Sequence, residues 1–260
     1  MKYFLSYLIL RIFDWLFFRG KLLGVPVIFY HSISDGSSKI SVSPAVFAKQ
    51  MEYLARRGCQ TILPQDLNKD IFSRGEKKFL IIFDDGFRDV YLNARPVMDR
   101  LNFKASVFIS TDYIGGNSIY ASDPADKTKQ IMSPEEIKEL EDEGWCIANH
   151  FSSHRNLTQL SKEEISSEYL KAKDVLKSII NNNTADIVVY PYNRYNRQVI
   201  SVLKESGARL AFSGGDRVYY ENDDIFAIPR LEVNREVNFY KFRLLFSPSF
   251  CWLKNLRKRL

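Results

Sequence analysis

Histidine is scarce in this sequence, with three in 260 residues, at positions 31, 150 and 154. Cysteine is equally rare: Cys59, Cys146 and Cys251 are odd in number and form no CxxC pair, which argues against a disulfide framework and leaves reduced thiols as the expectation. An uninterrupted apolar run of about 20 residues is also missing. The first 23 residues are apolar and aromatic, but Lys2, Arg11, Asp14, Arg19 and Lys21 break them up, so no membrane-spanning helix is expected. The run YFLSYLIL is followed by charged and bulky residues and not by a small-residue cleavage site, so it reads as a retained amphipathic helix. On that reading the chain is cytoplasmic, and its two ends suit peripheral contact with the inner face of a membrane. The net charge of +6 owes much to Lys254, Arg257, Lys258 and Arg259 near the C-terminus. The remaining charges lie mostly on mixed-sign helix faces, so no nucleic-acid partner is expected.

What is present is the alternation of an α/β domain, with 45% apolar residues, enough for a real core. Short β-branched or aromatic runs predict strands at PVIFY (26–30), FLIIF (79–83), ASVFI (105–109), WCIA (145–148), DIVVY (186–190) and RLAFS (209–213), with weaker ones at 59–62 and 225–228. Ser133 with Glu136, and Ser161 with Glu164, predict capping boxes; Gly58, Gly144 and Gly207 predict helix stops. In the helix after Ser161, the stripe Ile165, Tyr169, Ala172, Leu176 and Ile179 predicts a face turned to a sheet. Residues 115–129 read as an extended loop. Three segments are expected: an N-terminal helix at 1–23 with a membrane role, a catalytic domain at 24–238, and a basic and aromatic tail at 239–260.

The polar residues of interest follow these strands. His31 comes after PVIFY, Asp84 and Asp85 after FLIIF, His150 and His154 after WCIA, and Tyr192 after DIVVY. Ends of parallel strands build active sites in α/β barrels. Adjacent carboxylates repel, and a bound cation relieves this, although FDDG is also ordinary turn chemistry. Two histidines four residues apart, joined by one carboxylate, make a catalytic metal set with a position open for water. Nitrogen and oxygen donors suit Zn2+, with Co2+, Ni2+ or Fe2+ as other candidates.

These residues carry a resemblance. FLIIFDDGFRDVYLNARPVM, HFSSHRNLTQLS and VVYPYNRYNRQVI resemble, in order, three motifs of the NodB-type polysaccharide deacetylases. The resemblance implies an irregular (β/α) barrel of about seven strands and metal-dependent hydrolysis of N-acetyl groups on an amino-sugar glycan or glycolipid. It further implies Asp84 as general base, Asp85, His150 and His154 as metal ligands, and the backbone N–H of Tyr192 as oxyanion donor. Val189 stands where most members carry an arginine, Phe151 where serine or threonine is usual, and Asn193 where glycine is common. No histidine follows His154 to act as the family's late general acid. VIFYHSI, however, is similar to the early motif of the circularly permuted branch typified by poly-N-acetylglucosamine deacetylases, which implies His31 as the acid. Arg230, in IPRLEVNR, is the candidate replacement for the missing arginine beside Asp84. Rival readings are deacetylation or deformylation of a small nucleotide- or lipid-linked sugar, and an inactive glycan-binding relative.

Overall fold

The structure is a computed structural model that describes residues 10, 12–16, 24–72 and 77–257. The apolar runs become parallel strands: β1 (Val27–Tyr30), β2 (Lys78–Phe83), β3 (Ser106–Ile109), β4 (Cys146–Asn149), β5 (Ile187–Val189) and β6 (Leu210–Ser213). Two further short strands, β7 (Ile228–Pro229) and β8 (Leu231–Glu232), are separated by Arg230 alone. Among the described residues the order across the sheet is β7-β6-β5-β4-β3-β2-β1-β8. The two edges of the sheet are therefore the two halves of one interrupted strand, and Arg230 is the seam at which the barrel nearly closes. Counting that strand once, with the six before it, the barrel has seven staves.

The alternation of side chains along each strand separates two cores. Val27, Phe29, Leu80, Ile82, Phe108, Ala148, Val189 and Phe212 form one buried cluster inside the barrel, where Phe108 meets Phe212 edge-on at 5.7 Å although their strands are not neighbours. Their alternates, among them Ile28, Tyr30, Ile81, Phe83, Val107 and Ile147, face outward to the helices. Burial on both faces is why these strands read as continuous apolar runs.

Around the barrel lie α1 (Pro44–Arg56), α2 (Pro134–Asp142), α3 (Lys162–Ile179) and α4 (Arg197–Glu205). Ser133 with Glu136 and Ser161 with Glu164 form the two reciprocal capping boxes. On α3, Ile165, Tyr169, Ala172 and Leu176 are buried, as their spacing predicts.

The weak strand at 59–62 is present as Gln60–Thr61, and that at 225–228 shrinks to β7. β8 carries too little apolar sequence to have been expected. The end of the chain forms α5 (Phe239–Leu244) and α6 (Pro248–Arg257). Its first part belongs to the fold, because Phe242, Leu245, Phe246 and Cys251 join the outer core, with Phe246 edge-on to Phe79 at 5.7 Å. Most of the expected N-terminal helix lies outside the described residues, but 12–16 are helical. Asp14 is buried and accepts from Ser249 N at 2.8 Å and Ser247 Oγ at 3.1 Å, tying this helix to the start of α6. No helix among the described residues is long and apolar enough to cross a membrane.

Candidate active site

Strand register brings the polar residues to one rim. Tyr30 pairs with Phe83, which pairs with Val107 and through it with Ile147, so His31 and Asp84 leave the barrel at one level and His150 leaves the same rim two residues further along its strand. At the end of β2 the backbone turns through left-handed values at Asp85 (φ 72°) and Gly86 (φ 75°). A Cβ at Gly86 would lie 3.1 Å from Ile109, so the turn needs glycine on both counts. After β4, Phe151 (φ 63°) and His154 (φ 56°) also adopt left-handed conformations, which fold the four-residue spacing back and let both imidazoles converge.

Asp85 Oδ1 lies 3.5 Å from His150 Nε2 and 3.2 Å from His154 Nε2. All three residues are buried, and their donor atoms lie within 4.8 Å of one another. The His150 Nδ1 bonds the Val189 carbonyl at 2.9 Å, which places the ring hydrogen on Nδ1 and leaves Nε2 a lone pair facing a carboxylate oxygen. Asp85 Oδ1 is buried without a hydrogen-bond partner. Opposed lone pairs around an orphaned oxygen fit a cation. For bonds of about 2.0–2.1 Å the edge of a tetrahedral zinc site is roughly 3.3–3.4 Å, close to both contacts. Without a cation, burial raises the Asp85 carboxyl, but ring hydrogens of His150 and His154 turned toward it would outweigh burial and hold the group well below the usual carboxylate range. Burial, opposed by Asp85, lowers His154.

Asp84 is equally buried but differently engaged. Arg230 Nη1 donates to its Oδ1 at 2.7 Å, while Nη2 donates to Asn193 Oδ1 at 2.8 Å and Nε to the Ser213 carbonyl at 3.2 Å. The guanidinium also lies 4.0 Å from the centre of the Phe29 ring. Asn193, at φ 55°, thus adopts the conformation that glycine would take there and adds an acceptor for Arg230. His31 Nε2 stands 4.0 Å from the other Asp84 oxygen, Oδ2. A cavity of about 250 Å³ is lined by His31, Asp84, Asp85, His150, His154 and Tyr192, and Arg230 lies behind it. Every site residue expected from the sequence is thus brought to one place.

The loop 150–154 has its own support. Glu168 on α3 accepts from Ser152 Oγ at 2.7 Å, Ser153 N at 2.9 Å and Ser153 Oγ at 2.5 Å. Burial raises the Glu168 carboxyl, and these donors overcome that and leave it lowered. Phe151 is fully buried beneath the loop with Leu157 and Tyr190. Glu168, one residue before Tyr169 on α3, is not among the residues expected from the sequence.

Nor is Tyr120, on the loop 115–129. A bridge from Asn117 to Gln130 closes that loop on itself, and the next one, from Phe87 to Ile131, with Met132 N donating to the Gly86 carbonyl, docks it beside the Asp85–Gly86 turn. Burial and the neighbouring Asp85 carboxylate push the Tyr120 phenol well above its ordinary value.

Residues 73–211 match the family described as "Polysaccharide deacetylase". The chain belongs to the polysaccharide deacetylase family. The match contains Asp84, Asp85, His150, His154 and Tyr192 and leaves outside it His31, just after β1, and Arg230, between β7 and β8. This placement of His31 ahead of the other motifs is consistent with the permuted branch. Relatives include "Putative polysaccharide deacetylase YxkH" of Bacillus subtilis, 27% identical over 213 residues, which covers 81% of this chain and 71% of that one. "Poly-beta-1,6-N-acetyl-D-glucosamine N-deacetylase" of Staphylococcus aureus is 26% identical over 220 residues, covering 80% and 72%. The Streptococcus pyogenes deacetylase PplD, solved with acetate, has TM-score 0.74 at 19% identity, covering 87% of this chain and 100% of that chain. IcaB from Ammonifex degensii has TM-score 0.73 at 22% identity, covering 88% and 98%. These two structures share the deacetylase fold.

Proposed function

We propose that this polysaccharide deacetylase removes N-acetyl groups from N-acetylhexosamine units of a glycan of the poly-β-1,6-N-acetylglucosamine kind, in a divalent-metal-dependent hydrolysis that releases acetate. One observation carries the reading: a single cavity holds the converging Asp85, His150 and His154 beside an Asp84 that has one oxygen taken by Arg230 and the other facing His31. The name of the Staphylococcus aureus relative supports the substrate class.

Asp85, His150 and His154 would hold the divalent cation, with zinc the best match to the donors, and the bound ion would supply polarisation of an amide carbonyl and a more acidic water. Arg230 holds and orients the Asp84 carboxylate, so Oδ2 is the oxygen that takes a proton as water adds to the carbonyl carbon. The backbone N–H of Tyr192 stabilises the resulting oxyanion. The C–N bond then breaks, His31 gives its proton to the departing amine nitrogen, and acetate and the free amino sugar leave. Mass spectrometry of β-1,6-linked N-acetylglucosamine oligomers and lipid-linked N-acetyl sugars, each incubated with zinc-loaded protein, tests the reading. Loss of acetyl mass from the oligomers is expected; loss only from the lipid-linked sugars would replace the polymer with a small precursor.

In the same reading, residues 24–238 carry the catalytic residues, the start of the tail packs onto them, and the two ends contact an anionic lipid surface. Ile12, Trp15 and Leu16 on one side of the Asp14 tie, and Trp252 and Leu253 on the other, are exposed, and the adjoining sequence is rich in Lys and Arg. Aromatic and aliphatic anchors beside basic residues are the composition of an interfacial helix.

A further inference from the structure

The two histidines that converge on Asp85 are held in different ways. His150 has a hydrogen bond behind it, from Nδ1 to the Val189 carbonyl. A ligating histidine ordinarily needs such a partner to fix its ring, and losing one typically costs 10- to 100-fold in metal affinity. His154 has none: its Nδ1 is buried and without a hydrogen-bond partner, on a backbone at φ 56°. Its ring is instead packed between two tyrosines. Tyr120 stacks on it with centroids 4.4 Å apart and planes 28° apart, and Tyr192 meets it edge-on at 4.7 Å. Tyr120 is in turn backed by Tyr113, with centroids 4.5 Å apart. The Tyr120 hydroxyl is buried without a partner, in the wall of the cavity that contains Asp85.

We infer that Tyr120 is a positioning residue for the metal-binding set, its ring fixing the His154 imidazole by stacking where His150 is fixed by a hydrogen bond. The inference rests on the metal reading of the site. It gives the loop 115–129 a definite job: it brings an aromatic plate over the histidine that the barrel itself does not hold by a hydrogen bond. Flatness is what the role requires. Phenylalanine should serve nearly as well, and leucine, which fills space without stacking, should not.

Competition for Zn2+ between the metal-free protein and a chromophoric chelator tests this, with metal-free melting temperatures measured alongside. The parental protein and Tyr120→Phe are expected to bind Zn2+ within about threefold of one another, and Tyr120→Leu and Tyr120→Ala at least about tenfold more weakly. Tyr120→Leu keeps the site filled if Tyr120→Ala does not fold. Equal affinity in Tyr120→Leu and the parental protein would overturn the inference while leaving the metal reading intact. Failure of the parental protein to take up Zn2+, with no difference from Asp85→Asn, would overturn the metal reading and the inference with it.

Discussion

Arg230 and Asp84 are 146 positions apart in the chain, yet their side chains meet at 2.7 Å in the buried wall of the site. Arg230 sits in the gap between β7 and β8, so closing the barrel and fixing the carboxylate are one structural event. Cutting this pair from one side leaves a buried charge unpaired, at a cost of about 3–5 kcal/mol. Arg230→Met should therefore lower stability in urea denaturation by about that much and abolish turnover. The double variant Asp84→Asn/Arg230→Met should recover part of the stability and none of the activity. No recovery would mean that Arg230 acts on stability through Asn193, Ser213 and Phe29 and not through Asp84.

Glu168 predicts an acid-sensitive loop. Its carboxyl is lowered in the folded protein, so its contribution to stability is fully present above the unfolded value of about 4.3 and is lost as pH falls through the lower folded value. Glu168→Gln should be less stable than the parental protein at pH 7, and the gap should narrow as pH drops below about 4.3. Denaturant titrations at several pH values read this directly. A gap that stays constant would show that the Glu168 charge does not hold Ser152 and Ser153.

The paired ends predict lipid binding. Sedimentation with anionic vesicles should recover the intact protein. Removing the residues before Val25 and those after Cys251 should abolish recovery, and high salt should weaken it. Equal recovery of the shortened protein would contradict the assignment.

Much of this was legible in the sequence because the informative residues follow strands that are apolar throughout. FLIIF must be buried on both faces, so the aspartates after it must emerge at a rim, and the same logic placed His31 and His150. The three motif strings then supplied the family. Arg230 was readable only as a candidate, since nothing local shows that its two flanking dipeptides pair with opposite ends of one sheet. Tyr120 and Glu168 were not readable, because each acts through a partner at least 15 positions away and lies in a segment whose own pattern is that of a polar loop or an ordinary amphipathic helix.

His31 is assigned the proton donation that expels the amine. A positioned acid contributes about 10²- to 10⁴-fold. His31→Ala should fold, keep its zinc and lose at least about tenfold in turnover. Parental turnover in that variant would place the proton source elsewhere.

The central claim is a division of labour between neighbours: Asp85 holds the metal and Asp84 does the proton chemistry. Zinc content by elemental analysis, read together with acetate release from β-1,6-linked N-acetylglucosamine oligomers, tests it in Asp84→Asn and Asp85→Asn side by side. Both variants should be inactive, with Asp84→Asn keeping its zinc and Asp85→Asn losing it. Loss of zinc from Asp84→Asn with retention in Asp85→Asn would contradict it.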